Sequence, residues 1–184
     1  MTEKNNEQSL QVATLAGGCF WCIESAFNSV KGILTAESGY MGGHNENPTY
    51  ADICTGTSGH AEVVQLQFDN QEISYTEILE IFFTLHNPTQ LNRQGNDVGT
   101  QYRSEIFTHD TVQEEIALSM INEITQAQVF DDPIVTKVSS AVIFYSGEDY
   151  HQGYVENNPG NPYCQAVVSP KLAKFRKTFV ARLK

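Results

Sequence analysis

The stretch "AEVVQLQF", residues 61–68, sets Val64, Leu66 and Phe68 on one side and Gln65 and Gln67 on the other. That is the two-residue repeat of a half-buried strand. A few residues later the repeat lengthens. Ser74 and Glu77 are spaced as a capping box, and behind them "YTEILEIFFTLH" carries apolar residues at the spacing of a helix. A sheet face and a helix stripe so close together must be buried against each other. The rest of the chain mixes the same two periods without strict alternation. "QVATLA" (11–16) reads as a short strand stopped by Gly17-Gly18, a helix is predicted from about Cys19 to Val30 with Gly32 as its stop, and "ILTAESGY" returns as a strand. Thr111 and Glu114 repeat the capping signature before a helix to about Gln128. "PIVTKV" and "AVIFY" follow as strand candidates, then a short helix near "EDYHQGYVENN" and a basic helix from Ser169-Pro170 to the chain end. The expected class is α+β: a two-layer sandwich or ferredoxin-like roll, with a mostly antiparallel sheet packed with helices and long loops forming the active site.

At 184 residues and 40% hydrophobic content, one well-filled core is expected, hence a single domain over 1–184 with 1–9 as a flexible tail. The longest apolar runs are strand-sized and the opening "MTEKNNEQSL" is polar, so a cytoplasmic address with no membrane contact is expected; the working expectation for assembly is a monomer. Eleven Lys and Arg against 22 Asp and Glu leave a formal charge of -11, which argues against a nucleic-acid partner held through phosphates. The four cysteines, at 19, 22, 54 and 164, are too few and too unevenly spaced for a secreted disulfide framework.

Three long polar connections stand out: Gly39 to Gly59, roughly Asn87 to Arg103, and Gly153 to Ser169. They carry Tyr40, Tyr50, Asp97, Tyr102, Tyr163 and Cys164 among Gly, Asn and Pro, and a structureless loop of that length is uncommon in a compact domain unless it is functional. The first connection follows "AGGCFWCIESAF" (16–27). Cys19, placed as the first residue of a helix after a glycine turn, would face unpaired N–H groups and the positive end of the helix dipole, which favours thiolate. Ile23, Ala26, Phe27 and Val30 already supply an apolar stripe, so Phe20 and Trp21, the only tryptophan, are expected to wall a small apolar pocket beside the sulfur.

"GGCFWC", "GYMGGHNENPTY" (39–50), "TGTSGHAEVV" (55–64), "QGNDVGTQYRS" (94–104) and "NPYC" (161–164) together resemble the A-type peptide methionine sulfoxide reductases, in order from about residue 12 to 165. The resemblance implies thiol-dependent reduction of the S epimer of methionine sulfoxide, free or in oxidised proteins, and so a role in protein repair under oxidative stress. It casts Cys19 as the nucleophile that becomes a sulfenic acid. By the same resemblance Glu62 is the acid, Tyr50 and Tyr102 are donors to the sulfoxide oxygen, Phe20 and Trp21 hold the substrate methyl, and Asp97 shapes the pocket. For Glu62 to hold a proton at neutral pH it must be buried. Cys164 matches the resolving cysteine, with Cys22 as the alternative. Thioredoxin or a similar dithiol is the implied external reductant, with no cofactor and no metal. His60 and Cys54 are expected to be structural.

Two other readings compete. A thioredoxin-like dithiol oxidoreductase would use Cys19 and Cys22, yet large aromatics fill the gap where glycine or proline is usual. A zinc-stabilised module needs paired ligand knuckles, and Cys54 and Cys164 are isolated.

Overall fold

The computed structural model of the chain describes residues 9–184. The tail expected over 1–9 therefore lies outside the described residues except for Ser9, which is buried and whose carbonyl accepts from Asn70 N–H at 2.9 Å.

The framework begins β1 (Leu10–Gly17), α1 (Phe20–Asn28), β2 (Ile33–Met41), then α2 (Tyr50–Cys54), β3 (Ala61–Asp69) and α3 (Tyr75–Leu85). A hairpin of β4 (Arg93–Gln94) and β5 (Asp97–Val98) precedes β6 (Ser104–Thr108) and α4 (Thr111–Gln126). The chain continues through β7 (Lys137–Ser140), β8 (Tyr145–Ser146), α5 (Tyr154–Asn157) and α6 (Ser169–Thr178). Six strands form one sheet in the order β7-β6-β1-β3-β2-β8, antiparallel throughout except for the parallel pair β6 and β7. Without the inserted α2 and the β4–β5 hairpin, β1-α1-β2-β3-α3-β6 is the ferredoxin-like split βαβ arrangement expected from the mixed periods.

Register follows from side-chain period. Val64, Leu66 and Phe68 are fully buried on the helix-facing side, paired with Leu15, Ala13 and Gln11 of β1. Against them pack Ile23, Ala26 and Phe27 of α1, Ile78, Leu79 and Phe82 of α3, and Leu172 and Phe175 of α6. Each fully buried Phe or Leu contributes about 2 kcal/mol of transfer free energy. The Ser74–Glu77 box is formed: Ser74 Oγ accepts from Glu77 N–H at 3.1 Å and Glu77 Oε2 accepts from Ser74 N–H at 2.8 Å.

The other sheet face explains a departure from the sequence expectation. "AVIFY" is strand only at Tyr145; Ala141 and Phe144 instead cover Ala16, Met41, Ala61, Val63 and Phe107. Gly39 permits this, since a Cβ there would lie 2.4 Å from both the Phe144 ring and the Tyr145 carbonyl. "PIVTKV" becomes strand only from Lys137, and the C-terminal helix ends at Thr178, followed by a 3₁₀ turn at Val180–Arg182. The second capping signature is shifted by one: Asp110, not Thr111, caps α4, its Oδ1 accepting from Gln113 N–H at 2.7 Å. With Asp110 as the cap, Glu114 N–H is taken by the Asp110 carbonyl, so the helix starts one residue earlier than the Thr111 signature implies.

All three long connections carry structure of their own. The first contains α2, the second the β4–β5 hairpin and a 3₁₀ turn (Thr100–Tyr102), and the third α5 and a π-helical turn (Cys164–Val168). The first two leave from one end of the sheet, where β1 finishes and β3 and β6 begin, as antiparallel pairing requires.

Candidate active site

β1 ends at Gly17, and Gly18 turns the chain at φ 93°, a left-handed angle that a side chain adopts at a cost. Cys19 follows as the N-cap of α1 rather than as its first helical residue, and a thiol supplies no capping oxygen. The orphan Phe20 N–H is met from the neighbouring strand instead: Glu62 Oε2 accepts it at 3.1 Å. Helix start and carboxyl are thus locked together across 42 residues of sequence.

A cleft of about 140 Å³ opens over this junction, lined by Cys19, Phe20, Trp21, Tyr50, Glu62, Asp97, Tyr102 and Tyr163. Every residue nominated from sequence as nucleophile, acid, donor or pocket wall faces it. Glu62 is 2% exposed, and burial pushes its carboxyl up to about 8 against the opposing pull of the Phe20 N–H, with the Asp97 charge pushing the same way as burial. At neutral pH most of this carboxyl holds its proton.

Cys19 departs from the sequence expectation. Burial first, then the charge of Glu62, pushes the thiol well above its usual range, and the Trp21 N–H and the Tyr163 hydroxyl only partly offset them. The helix terminus does favour the anion, but its effect is smaller than the cost of desolvating a sulfur beside two carboxyls. The cleft therefore holds a neutral thiol next to a neutral acid. Burial also pushes the hydroxyls of Tyr50, Tyr102 and Tyr163 upward, so all three remain proton donors.

Phe20 is 1% exposed and belongs to the core as well as to the cleft, whereas Trp21 is half-buried. Trp21 lies flat on Tyr154, ring centroids 3.7 Å apart and 5° from parallel, and its Nε1–H donates to His151 Nδ1 at 3.0 Å. His151 is fully buried among Phe20, Trp21, Tyr50 and Tyr150. Glu148 fixes the opposite wall, accepting from Tyr40 Oη–H and from Tyr50 N–H, both at 3.1 Å.

Tyr163, His151, Tyr154 and Glu148 received no role from the sequence. Tyr163 donates to Asp97 Oδ2 at 2.5 Å and also lies within hydrogen-bond reach of the Cys19 sulfur. Its position directly before Cys164 was the available signal. The others share the short stretch "EDYHQGY", whose density of rings exceeds what a surface turn needs. His60 is structural as expected: its Nδ1 accepts from Gly43 N–H at 3.0 Å and its Nε2 bonds the Asn45 carbonyl at 2.8 Å.

Cys164 is 2% exposed within the π-helical turn, not on an open loop. Cys22, one helical turn after Cys19, is also buried; burial pushes its thiol up to about 11, with the Lys171 charge opposing and Cys164 adding. Cys54 is exposed at the end of α2, within hydrogen-bond reach of Tyr50. Among the described residues no three His, Cys, Asp or Glu side chains are grouped to hold a metal, and no helix is long and apolar enough to cross a membrane.

A half-buried thiol beside a protonated carboxyl, on a ferredoxin-like sheet, defines a thiol-based enzyme that works on a small, partly apolar substrate. Comparison with known proteins narrows the class. Residues 11–183 match the family model "Peptide methionine sulfoxide reductase". The peptide methionine sulfoxide reductase MsrA of Polynucleobacter asymbioticus is 50% identical over 97% of this chain and 94% of its own. Among solved structures, reduced Mxr1 of Saccharomyces cerevisiae matches with TM-score 0.79 and 32% identity, covering 88% of this chain and 92% of that one. Mxr1 in complex with Trx2 matches with TM-score 0.55 and 25% identity, covering 83% and 90%. The chain belongs to the peptide methionine sulfoxide reductase family, and its activity is the reduction of methionine sulfoxide to methionine.

Proposed function

We propose that the chain acts as a single domain in which Cys19 takes the oxygen of the S epimer of methionine sulfoxide, with Glu62 as the proton source. The observation that carries this reading is Glu62 itself, buried, held by Phe20 N–H at 3.1 Å and lining one small cleft with Cys19. Sulfoxide oxygen leaves sulfur readily only once protonated. Glu62 donates that proton, and Tyr50 and Tyr102 donate hydrogen bonds to the same oxygen. Cys19 sulfur forms a bond to the oxygen while the bond between oxygen and substrate sulfur breaks. The thiol proton replaces the one that Glu62 gave up. Substrate sulfur gains two electrons and leaves as methionine; Cys19 loses two and becomes a sulfenic acid. The raised thiol fits this sequence, since a neutral Cys19 loses its proton when the acid passes one to the substrate.

Phe20 and Trp21 form the wall against the substrate methyl, and Asp97, fixed by Tyr163, holds the substrate backbone. Resolution falls to Cys164, a reading supported by the preceding Tyr163, which lies within hydrogen-bond reach of the Cys19 sulfur. The Cys164 thiol sulfur attacks Cys19 sulfur, the bond from Cys19 sulfur to the hydroxyl breaks, and the hydroxyl leaves as water with the proton the thiol gives up, producing a disulfide. Cys22, one turn from Cys19 and electrostatically linked to Cys164, is the alternative resolver. Thioredoxin or a similar dithiol then reduces the disulfide from outside, as the Mxr1–Trx2 complex supports, and no cofactor is required. The working location is the cytoplasm.

The test is thiol counting and disulfide mapping after one equivalent of methionine sulfoxide is given to reduced wild type, Cys22→Ser, Cys164→Ser and Cys19→Ser chains. A Cys19–Cys164 bridge in wild type and in Cys22→Ser, with no methionine formed by Cys19→Ser, is expected. Normal methionine formation by Cys19→Ser refutes the mechanism, and a Cys19–Cys22 bridge in wild type reassigns the resolver.

A further inference from the structure

Glu24 is a buried carboxyl that this chemistry does not use. It lies on α1 one turn after Trp21 and is 3% exposed. Its Oε1 accepts from the backbone N–H of Gly153 at 2.8 Å and its Oε2 from Ser38 Oγ–H at 3.3 Å, with Asn28 adding a further bond. Glu156 of α5 faces it and is itself held by the hydroxyl of Ser25.

The position of Gly153 gives these contacts their meaning. It sits at φ 64°, the left-handed turn between His151 and Tyr154, and α5 begins there without a side-chain cap. Residues on both sides of it touch Trp21: Tyr154 lies flat on the indole and His151, two residues earlier, accepts from its Nε1–H. Gln152, between them, is bound to the Ser38 backbone on both sides, Oε1 accepting from Ser38 N–H at 3.0 Å and Nε2–H donating to Ser38 O at 2.9 Å. The four residues from His151 to Tyr154 are therefore clamped between β2 and α1. Glu24 is the side chain from α1 that closes the clamp at its hinge.

We infer that Glu24 is a positioning residue for substrate binding: by holding the Gly153 turn it sets Tyr154 and His151 against Trp21, and so fixes the indole as a rigid wall of the cleft. The inference rests on the reading of Trp21 as the methyl-binding wall. A loose indole must be ordered at each binding event, and that entropy appears in KM. Nothing in the arrangement sends Glu24 to the reacting atoms, so the rate of the bound complex is left alone. Hydrogen-bond acceptance, not charge, is what the clamp needs. Burial pushes this carboxyl up to about 7, against the bond from Gly153 and with the Glu156 charge adding, so an amide is a close substitute.

The experiment compares Glu24→Ala and Glu24→Gln with wild type, using free methionine sulfoxide as substrate and the fluorescence of Trp21, the only indole in the chain, as a second readout. Glu24→Ala is expected to raise KM roughly fivefold to tenfold, the scale of one lost buried hydrogen bond, with the single-turnover rate at saturation unchanged. Its Trp21 emission is expected to shift to the red as the ring leaves Tyr154. Glu24→Gln, which keeps an acceptor for Gly153 N–H, is expected to restore both. Should Glu24→Ala fail to fold, Tyr154→Leu removes the stack from outside the clamp and is expected to show the same KM rise and red shift. An unchanged emission in Glu24→Ala or Tyr154→Leu overturns the positioning role while leaving Trp21 as the wall. A red shift with unchanged KM overturns the wall reading and the inference with it. A fall in the saturated rate at constant KM, or a Gln variant as impaired as Ala, also refutes the proposal.

Discussion

In the folded chain Glu62 keeps its proton up to about pH 8, whereas an exposed glutamate in the unfolded chain releases it near 4.5, so Glu62→Gln removes a pH-dependent cost of folding. Well below pH 4.5 both states hold the proton and the difference vanishes. Between the two values the unfolded chain has ionised and the folded one has not, so wild-type stability falls as pH rises, reaching its full loss above 8. Glutamine does not titrate, and its carbonyl oxygen still accepts from Phe20 N–H. Integrating the two titrations from pH 5 to 8.5 gives a swing of about 3 to 4 kcal/mol in favour of the variant over that interval. Urea denaturation of both chains at several pH values measures it directly, because the two chains differ at Glu62 alone. A stability difference independent of pH would mean that Glu62 is ionised at neutrality, and the acid in the mechanism would have to be sought elsewhere. The same variant is expected to slow the first turnover, which separates its catalytic loss from any loss of folding.

Gly18→Ala forces a side chain into φ 93° and places its Cβ 2.7 Å from Gln94 Cγ; thermal denaturation is expected to show a loss of about 1 to 3 kcal/mol. Asp110→Ala is expected to cost about 1 kcal/mol, while Thr111→Ala stays within about 0.5, a comparison that urea melts resolve and that identifies the true cap of α4.

Periodic segments were legible from sequence because one face of each is buried. β3 alternates as Val64, Leu66 and Phe68 require, and α3 carries the capping box that Ser74 and Glu77 announce. The segment 141–145 misled because its apolar residues pack across a sheet face rather than within the sheet, a choice that depends on Gly39 more than a hundred residues earlier. At the site, residue identity was legible through the motifs around Cys19, Glu62, Asp97 and Tyr102. The protonation state of Cys19 was not. A helix terminus can be seen in a sequence, but the desolvation and the neighbouring carboxyls that outweigh it arise only when β1, β3 and the β4–β5 hairpin converge. His151, Tyr154 and Glu24 were hidden for the same reason. Each acts through Trp21 or Gly153, contacts that span roughly 130 residues and leave no local pattern.

In the proposed reaction the substrate's oxygen passes to the sulfur of Cys19. It is tested most directly by giving methionine sulfoxide labelled with heavy oxygen to a reduced chain in which Cys22 and Cys164 are both serine, then following peptide masses after a single turnover. The expected result is one methionine per chain and the heavy oxygen on the peptide containing Cys19, as a sulfenic acid that has no thiol to resolve it. Methionine formed with the label in bulk water and an unmodified Cys19 would contradict oxygen transfer to Cys19.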